Sequence, residues 1–284
     1  MKILLTGKNG QVGSALERAL APVGELMAFD RSGLDLRDPK SIEAGIRNAK
    51  PAVIVNAAAY TGVDRAETER ETAFAVNATA VGILAQEAGK LGALLIHFST
   101  DYVFDGEKAG AYTEEDAPNP INLYGASKLA GERAVAASGC RHLVFRTSWV
   151  YAAEGRNFLR AILEASQTKP ELRVVDDQHG APTSANAIAL AIVRILKEEN
   201  LREKASGLYH LSAAGETTWY GFAKELLSRR GLDVPVVPVS SAEYATPAKR
   251  PKMSLLDNSK FVHTFGFSLP HWREQLAAVL PLIH

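Results

Sequence analysis

The stretch Met1-Lys2-Ile3-Leu4-Leu5-Thr6-Gly7-Lys8-Asn9-Gly10-Gln11-Val12-Gly13 decides how the rest of the chain is read. The apolar run Ile3 to Leu5 has the length and composition of a buried strand. Glycines at 7, 10 and 13 follow it directly, spaced G-x-x-G-x-x-G. A chain turning from a buried strand into a helix needs residues without Cβ where it bends sharply or lets another group approach its backbone. The amides of Gly10, Gln11 and Val12 then fall at the start of a helix, ready to donate to an anion such as a pyrophosphate. A glycine triplet also serves any plain strand-to-helix turn, so the acid that follows it matters. Asp30 ends a second apolar run, Leu26 to Phe29. It lies about 20 residues past the turn, where a carboxylate holds the adenosine ribose of a bound dinucleotide.

Working outward, short apolar runs recur at Ala52 to Val55, Leu94 to Phe98 and Leu143 to Phe145. Helical patterns separate them, the clearest running from Val76 through Ala80, Ile83, Leu84 and Ala88 to Leu91 with one apolar face. Strand and helix alternate, which predicts an α/β fold: a Rossmann-type doubly wound parallel sheet spanning residues 1–150. Such a sheet binds ligands beyond the carboxyl ends of its strands. Asp35 and Leu36 after the second strand, and Ala57, Ala59, Tyr60 and Thr61 after the third, are therefore expected at the cofactor. Past Trp149 the pattern loosens and prolines punctuate shorter elements. Residues 151–284 are expected to form mainly a smaller C-terminal substrate-binding lobe, with chain crossings between the lobes allowed. Its helices are read at Ala185 to Lys197, at Trp219 to Arg229 behind the capping residues Thr217 and Thr218, and from Pro270 onward. The segment Pro247 to Asp257 reads as a loop over another surface.

Composition narrows the partners. Lys plus Arg and Asp plus Glu each number 32 in 284 residues, interspersed, so no electrostatic footprint for nucleic acid or an anionic membrane is present. The first apolar run is too short for a signal peptide and no 18 apolar residues run uninterrupted, so a soluble, cytoplasmic protein acting on a small molecule is expected. Cys140 is the single cysteine and has no flanking His or Cys, which leaves it inert.

Two Tyr–Lys pairs sit four residues apart, Tyr124 with Lys128 and Tyr220 with Lys224. Spacing alone does not separate them; context does. Tyr124 follows the fourth strand and its extension Phe98-Ser99-Thr100-Asp101-Tyr102-Val103-Phe104, which brings two hydroxyls and a carboxylate to the edge where the cofactor lies. A phenol of pKa about 10 is a poor acid–base group near neutrality, and a cation on the same helix face brings it nearer the working range. Lys128 is read as that cation, and Thr100 as a second hydroxyl on the same substrate oxygen. Tyr220 has no such company.

These motifs, together with Phe145-Arg146-Thr147-Ser148-Trp149-Val150-Tyr151, resemble the extended short-chain dehydrogenase/reductase superfamily. Within it, Asp176-Asp177-Gln178-His179-Gly180-Ala181-Pro182-Thr183, Gly207-Leu208-Tyr209-His210-Leu211 and Arg250-Pro251 are similar to the dTDP-4-dehydrorhamnose reductases, the RmlD-like family, along nearly the whole chain. The resemblance implies transfer of hydride from NADPH or NADH to the C4 keto carbon of dTDP-4-dehydro-L-rhamnose, with Tyr124 delivering the proton. It also implies that Lys128 holds the nicotinamide ribose, that Thr100 and Asp101 contact the sugar, and that Trp149 packs on the substrate. Asn157 and Arg250 are further expected substrate contacts, the latter because a guanidinium suits a diphosphate. Asp30 disfavours a 2′-phosphate while Arg31 and Lys8 can offset it, so the nicotinamide preference stays open.

One departure concerns metal. Members of the family bridged into dimers by Mg²⁺ carry carboxylates at places that here are Ala15 and Asn186, and a hard cation needs oxygen ligands. No bridging Mg²⁺ is therefore expected, and a homo-oligomer is not inferable. Two other activities would fit the same fold: a nucleotide-sugar epimerase or dehydratase, which recycles its nicotinamide, and a catalytically silent regulatory subunit. Thr100, Tyr124 and Lys128 together favour the reductase.

Overall fold

A computed structural model describes residues 1–199 and 206–283. Its centre is a six-stranded, wholly parallel sheet built from β1 (Lys2–Thr6), β2 (Glu25–Phe29), β3 (Val53–Asn56), β4 (Leu94–Thr100), β5 (His142–Thr147) and, later in the chain, Gly207–His210. With Leu172–Val175 taken as β6, this last strand is β7, and the spatial order is β7-β5-β4-β3-β1-β2. The order reverses between β1 and β3, where the chain leaves toward opposite edges and opens a crevice at the carboxyl ends.

Alternating side chains of β1 explain why its sequence is apolar throughout. Ile3 and Leu5 enter one core with α1 (Gln11–Leu20), while Leu4 enters another with α2 (Pro39–Ala49) and α3 (Ala80–Leu91). Helix α4 (Leu123–Ser138) closes that second face through Val135. A third core lies in the C-terminal half, among α5 (Phe158–Ser166), α7 (Trp219–Arg229), α9 (Trp272–Val279) and the pair of β6 with β8 (Val236–Val239). Three segments beyond residue 150 return to the first core: α6 (Ala185–Lys197), β7 and α8 (Ser259–Phe265). Among the described residues no helix is long and apolar enough to cross a membrane.

The helix expected from Val76 differs from its sequence pattern. Residues Ala75–Thr79 wind as a π turn that joins a short helix, Arg70–Phe74, to α3. The extra residue turns Asn77 inward, where it is fully buried. Its amide nitrogen donates to the Tyr60 carbonyl at 3.0 Å and to the Ser127 hydroxyl at 2.9 Å, and its oxygen accepts from the Tyr60 amide at 2.8 Å. One side chain thus fastens the loop after β3 to α4.

Helix α4 is pinned to the sheet from its other end. Glu132 and Arg146, both buried, form a two-pronged pair at 2.9 and 2.7 Å, and the Ser99 hydroxyl donates to the same carboxylate at 2.5 Å. The guanidinium also lies 5.0 Å from the centre of the Phe104 ring. Removing one member leaves the other charge buried and alone. Arg146→Met should therefore lower unfolding free energy by about 3–5 kcal/mol in denaturant titrations. Asn77→Ala strands the Tyr60 amide and should cost about 1–3 kcal/mol. Unchanged midpoints in either case would contradict these assignments.

Candidate active site

At the crevice the glycine turn is shaped by close approach. Gly7 has φ +74° and a Cβ there would lie 2.7 Å from the Ala58 backbone, across the β1/β3 boundary. A Cβ on Gly13 would lie 1.9 Å from the Gly7 carbonyl, so the turn closes only with glycine at both places. Gly10 caps α1 with no side-chain hydrogen bond, and the first turn of the helix holds no acid. The amides of Gln11 and Val12 are left to an external acceptor, and the buried Gln11 Oε1 has no partner. Uncapped amides and the narrow glycine cradle fit a pyrophosphate.

Other expected cofactor residues divide. Asp30 is half-buried at the end of β2, and its carboxylate accepts from Ser32, Gly33 and Asn9. The Ser32 hydroxyl, first among these, holds it below the usual carboxylate range. Asp35 is committed to Arg37 at 2.7 Å, with Arg31 3.8 Å away, and the Leu36 side chain faces the second core. Ala57, Ala59 and Tyr60 line the half-buried loop after β3, with Thr61 exposed beyond them. The Tyr60 hydroxyl donates to Glu69 at 2.9 Å, while its backbone is clamped by Asn77.

Two strands along the same sheet edge from the turn, β4 ends at Thr100, and α4 begins at Leu123, capped by Asn122. The two deliver Thr100, Tyr124 and Lys128 to one place. The Tyr124 ring meets Tyr102 edge-on, with 5.9 Å between ring centres. Burial pushes Tyr124 up to about 12, opposed by the Thr100 hydroxyl, so the phenol is neutral near pH 7. The expected direct relief of Tyr124 by Lys128 is not what the structure shows. Lys128 is buried, and its Nζ donates to the Phe98 carbonyl at 2.6 Å and lies 3.4 Å from His97 Nε2. Burial brings its pKa down to about 8, with Glu132 one turn along pulling it up.

The substrate residues divide as well. Asp101 is 2% exposed and sits behind Thr100, whose hydroxyl donates to it at 3.0 Å, so its carboxyl does not line open space. Trp149 adopts φ +46°, an outlying conformation for a bulky residue that costs about 1–3 kcal/mol and marks functional sites. Its indole stacks on Trp219 at 3.7 Å with 7° between planes, and Phe158 meets Trp219 at 4.5 Å. Asn157 is spent locally: it caps α5 through the Arg160 amide and donates to the Ala152 and Glu154 carbonyls. Both polar atoms of its side chain are thus engaged within the loop. Arg250 is held by Asp64 at 2.8 and 3.1 Å and also by Thr246. The loop that carries it is anchored to Asn122 through the Lys249 carbonyl, so it lies against the start of α4.

Sequence reading missed Asn77, Trp219 and His97. An asparagine inside an apolar helical run was the available signal for Asn77, while Trp219 passed for an ordinary first helical residue and His97 for a strand interior. The rival pair Tyr220 and Lys224 lies on α7, the ammonium 5.3 Å from the ring centre, beside a surface groove of about 370 Å³. Among the described residues no three His, Cys, Asp or Glu side chains gather as a metal site, and Ala15 is buried in the first core.

Comparison with known proteins agrees along the full length. Residues 1–283 match the family model described as the RmlD substrate binding domain. The chain is 45% identical to the dTDP-4-dehydrorhamnose reductase of Burkholderia thailandensis, covering 96% of each protein. It is 44% identical to the Escherichia coli protein of the same name, covering 96% of this chain and 95% of that one. A crystal structure of the Bacillus anthracis reductase in complex with NADP superposes with a TM-score of 0.93 at 35% identity, covering 99% of both chains. A Rossmann sheet with its glycine turn, and a Thr–Tyr–Lys group at the end of β4, thus stand in a chain that belongs to the RmlD family of dTDP-4-dehydrorhamnose reductases.

Proposed function

We infer that this chain reduces the C4 keto group of dTDP-4-dehydro-L-rhamnose to the alcohol of dTDP-L-rhamnose. NADPH or NADH supplies the hydride when bound. The observation that carries the inference is Thr100 at the carboxyl end of β4, with Tyr124 and Lys128 on one face of the helix that follows, on the same sheet edge as the uncapped glycine turn. Uncapped amides at α1 take the pyrophosphate, and Asp30 takes the adenosine ribose, with Arg31 close enough to attend a 2′-phosphate. Lys128 steadies the nicotinamide ribose.

Tyr124 is the proton donor. Burial keeps its phenol protonated until a developing alkoxide, more basic than a phenolate, draws the proton away. Thr100 orients the same oxygen. The stacked indoles of Trp149 and Trp219 offer an apolar wall to the sugar, and Arg250, its charge shared with Asp64, faces the diphosphate. The second lobe, from residue 151 with its returns to the first core, serves as the substrate half. The setting is cytoplasmic, where the reduced nicotinamide pool is at hand.

The test follows cofactor absorbance with purified protein and dTDP-4-dehydrorhamnose, NADPH against NADH. Net oxidation is expected; isomerisation without oxidation would favour the epimerase alternative. Tyr124→Phe should lower kcat by about 10²- to 10⁴-fold while dinucleotide binding survives. Tyr220→Phe should stay within a few-fold of the parent. A collapse at Tyr220 with near-normal turnover at Tyr124 would reverse the choice of pair.

A further inference from the structure

A buried ammonium has three N–H groups to place, and the structure gives Lys128 Nζ one acceptor for them, the Phe98 carbonyl at 2.6 Å. His97 Nε2 lies 3.4 Å away, and whether it can accept from Nζ depends on its tautomer. Asn56 decides that. Its Oδ1 accepts from the Thr6 hydroxyl at 2.6 Å and from the Ala58 amide at 3.3 Å, and a backbone N–H only donates. The atom that faces His97 Nδ1 at 3.0 Å is therefore Nδ2, which carries donors alone. Nδ1 is the bare, accepting nitrogen of the ring.

His97 is fully buried, and burial, with the ammonium nearby, keeps it neutral. A neutral imidazole has one N–H, which here sits on Nε2 and points toward Lys128. The ring cannot accept from the ammonium, so beyond the Phe98 bond two N–H groups of Lys128 have no acceptor among the described residues. An uncharged amine, by contrast, offers its lone pair to Nε2–H. The imidazole thus favours the amine, in the same sense as burial does. A buried cation with unpaired donors is unfavourable, and a ligand that brings oxygen acceptors relieves it.

We propose that His97 is a positioning residue for dinucleotide binding: locked by Asn56 with its proton toward Nζ, it leaves two Lys128 N–H groups for the nicotinamide ribose and makes binding take up a proton. This rests on Lys128 being the residue that meets that ribose. Where the amine is the resting form, the ribose hydroxyls bring oxygens that accept from an ammonium. One proton then enters from solvent, the lone pair that faced His97 becomes an N–H bond, and the side chain gains one positive charge. No other bond changes. His97 is 0% exposed and acts only through Lys128. Its lock begins at Thr6, the residue before Gly7, so the tautomer is set from the strand that leads into the glycine turn.

The groups around Lys128 set the pH range. Burial brings its ammonium down to about 8, with Glu132 opposing, and Glu132 is itself paired with Arg146 on β5. Along α4 the other titratable neighbour is Tyr124, which burial keeps neutral. From β4 come His97 and the Phe98 carbonyl, with Asp101 beyond the strand end, raised by burial to about 7 and so ionised before Lys128 titrates. Asn77 and Ser127, on the π turn and α4, carry no charge. Ribose acceptors raise the Lys128 pKa once the dinucleotide is bound. A group whose pKa is higher in the complex gives full affinity below its free value and loses affinity as pH climbs toward the bound one. Dinucleotide affinity should therefore be level near neutrality and fall by up to about tenfold per pH unit above about 8.

Dissociation constants of NADPH and NADH, measured from about pH 7 to about pH 9.5 where their phosphates stay fully ionised, test this. Wild-type affinity should fall above about 8, with proton uptake seen by calorimetry in two buffers of different ionisation heat. Lys128→Met should bind more weakly and show no such slope. His97→Gln puts an amide oxygen within reach of Nζ, so the ammonium persists and the fall should begin about one pH unit higher. A His97→Gln protein that folds, by circular dichroism, and keeps the wild-type onset overturns the proposal. So does a wild-type affinity that stays level throughout. Independently of any variant, nitrogen-15 spectra of the imidazole should show neutral His97 with its proton on Nε2; a proton on Nδ1 overturns the lock. If neither dinucleotide binds, or Lys128→Met keeps both affinity and slope, the reading of Lys128 fails and the proposal with it. If Lys128→Met abolishes the slope while His97→Gln leaves it in place, only the part given to His97 fails.

Discussion

The buried pair of Glu132 and Arg146 governs the geometry where α4 meets the carboxyl ends of β4 and β5. Tyr124, Lys128 and Glu132 are spaced four apart on α4 and share one face of the helix. Fixing Glu132 against Arg146 on β5 and Ser99 on β4 therefore fixes the rotation of that face relative to the sheet. A hydrophobic contact would tolerate sliding; a two-pronged guanidinium–carboxylate pair does not. The charge has a second effect, since the carboxylate one turn beyond Lys128 counters part of the desolvation of its ammonium.

A row of polar side chains crosses the sheet perpendicular to its strands, from Thr6 on β1 through Asn56 on β3 to His97 on β4, whose Nε2 lies 3.4 Å from Lys128 Nζ on α4. It begins one residue before the glycine turn and ends at Lys128, so the turn and the lysine are set by the same row. Gly7 packing on Ala58 places β1 and β3 in contact where the strand order reverses. The crevice and the row share one origin: the point where chain crossings part leaves the strand ends bare, and the polar side chains there have only each other as partners.

The sequence displayed β1, β3, β4 and β5 because each is buried on both faces and so carries an apolar run. It displayed the glycine turn because sterics forbid any other residue at Gly7 and Gly13. Helices α6 and α7 were readable to the residue, Ala185–Lys197 and Trp219–Arg229, from apolar period and capping hydroxyls. What escaped depends on contacts far apart in the chain. The π turn at Ala75–Thr79 breaks the 3.6 period over only five residues, and its purpose appears only with Tyr60 and Ser127 in place. Asn157 carries the residue type of a ligand contact, yet its position as a helix cap consumes every polar atom it has. Trp149 stood out in the sequence as a candidate, but its stacking partner Trp219 is 70 residues away, and no local pattern joins them.

Burial acts on Tyr124 and Lys128 in opposite senses, raising the phenol to about 12 and lowering the ammonium to about 8. Both shifts disfavour charge, and together they keep the proton on the tyrosine while the site waits for substrate. A phenol tuned down to neutrality by an adjacent cation would lose that proton to solvent between turnovers. Here the lysine is turned toward the Phe98 carbonyl instead, so its charge does not drain the donor. In the proposed reduction the acid strength that matters arises only when negative charge develops on the ketone oxygen, when Thr100 and the ammonium would stabilise the phenolate left behind. The low-dielectric surroundings that make Tyr124 a weak acid at rest make those interactions strong during transfer. Timing of proton release is thus set by the substrate rather than by the ambient pH.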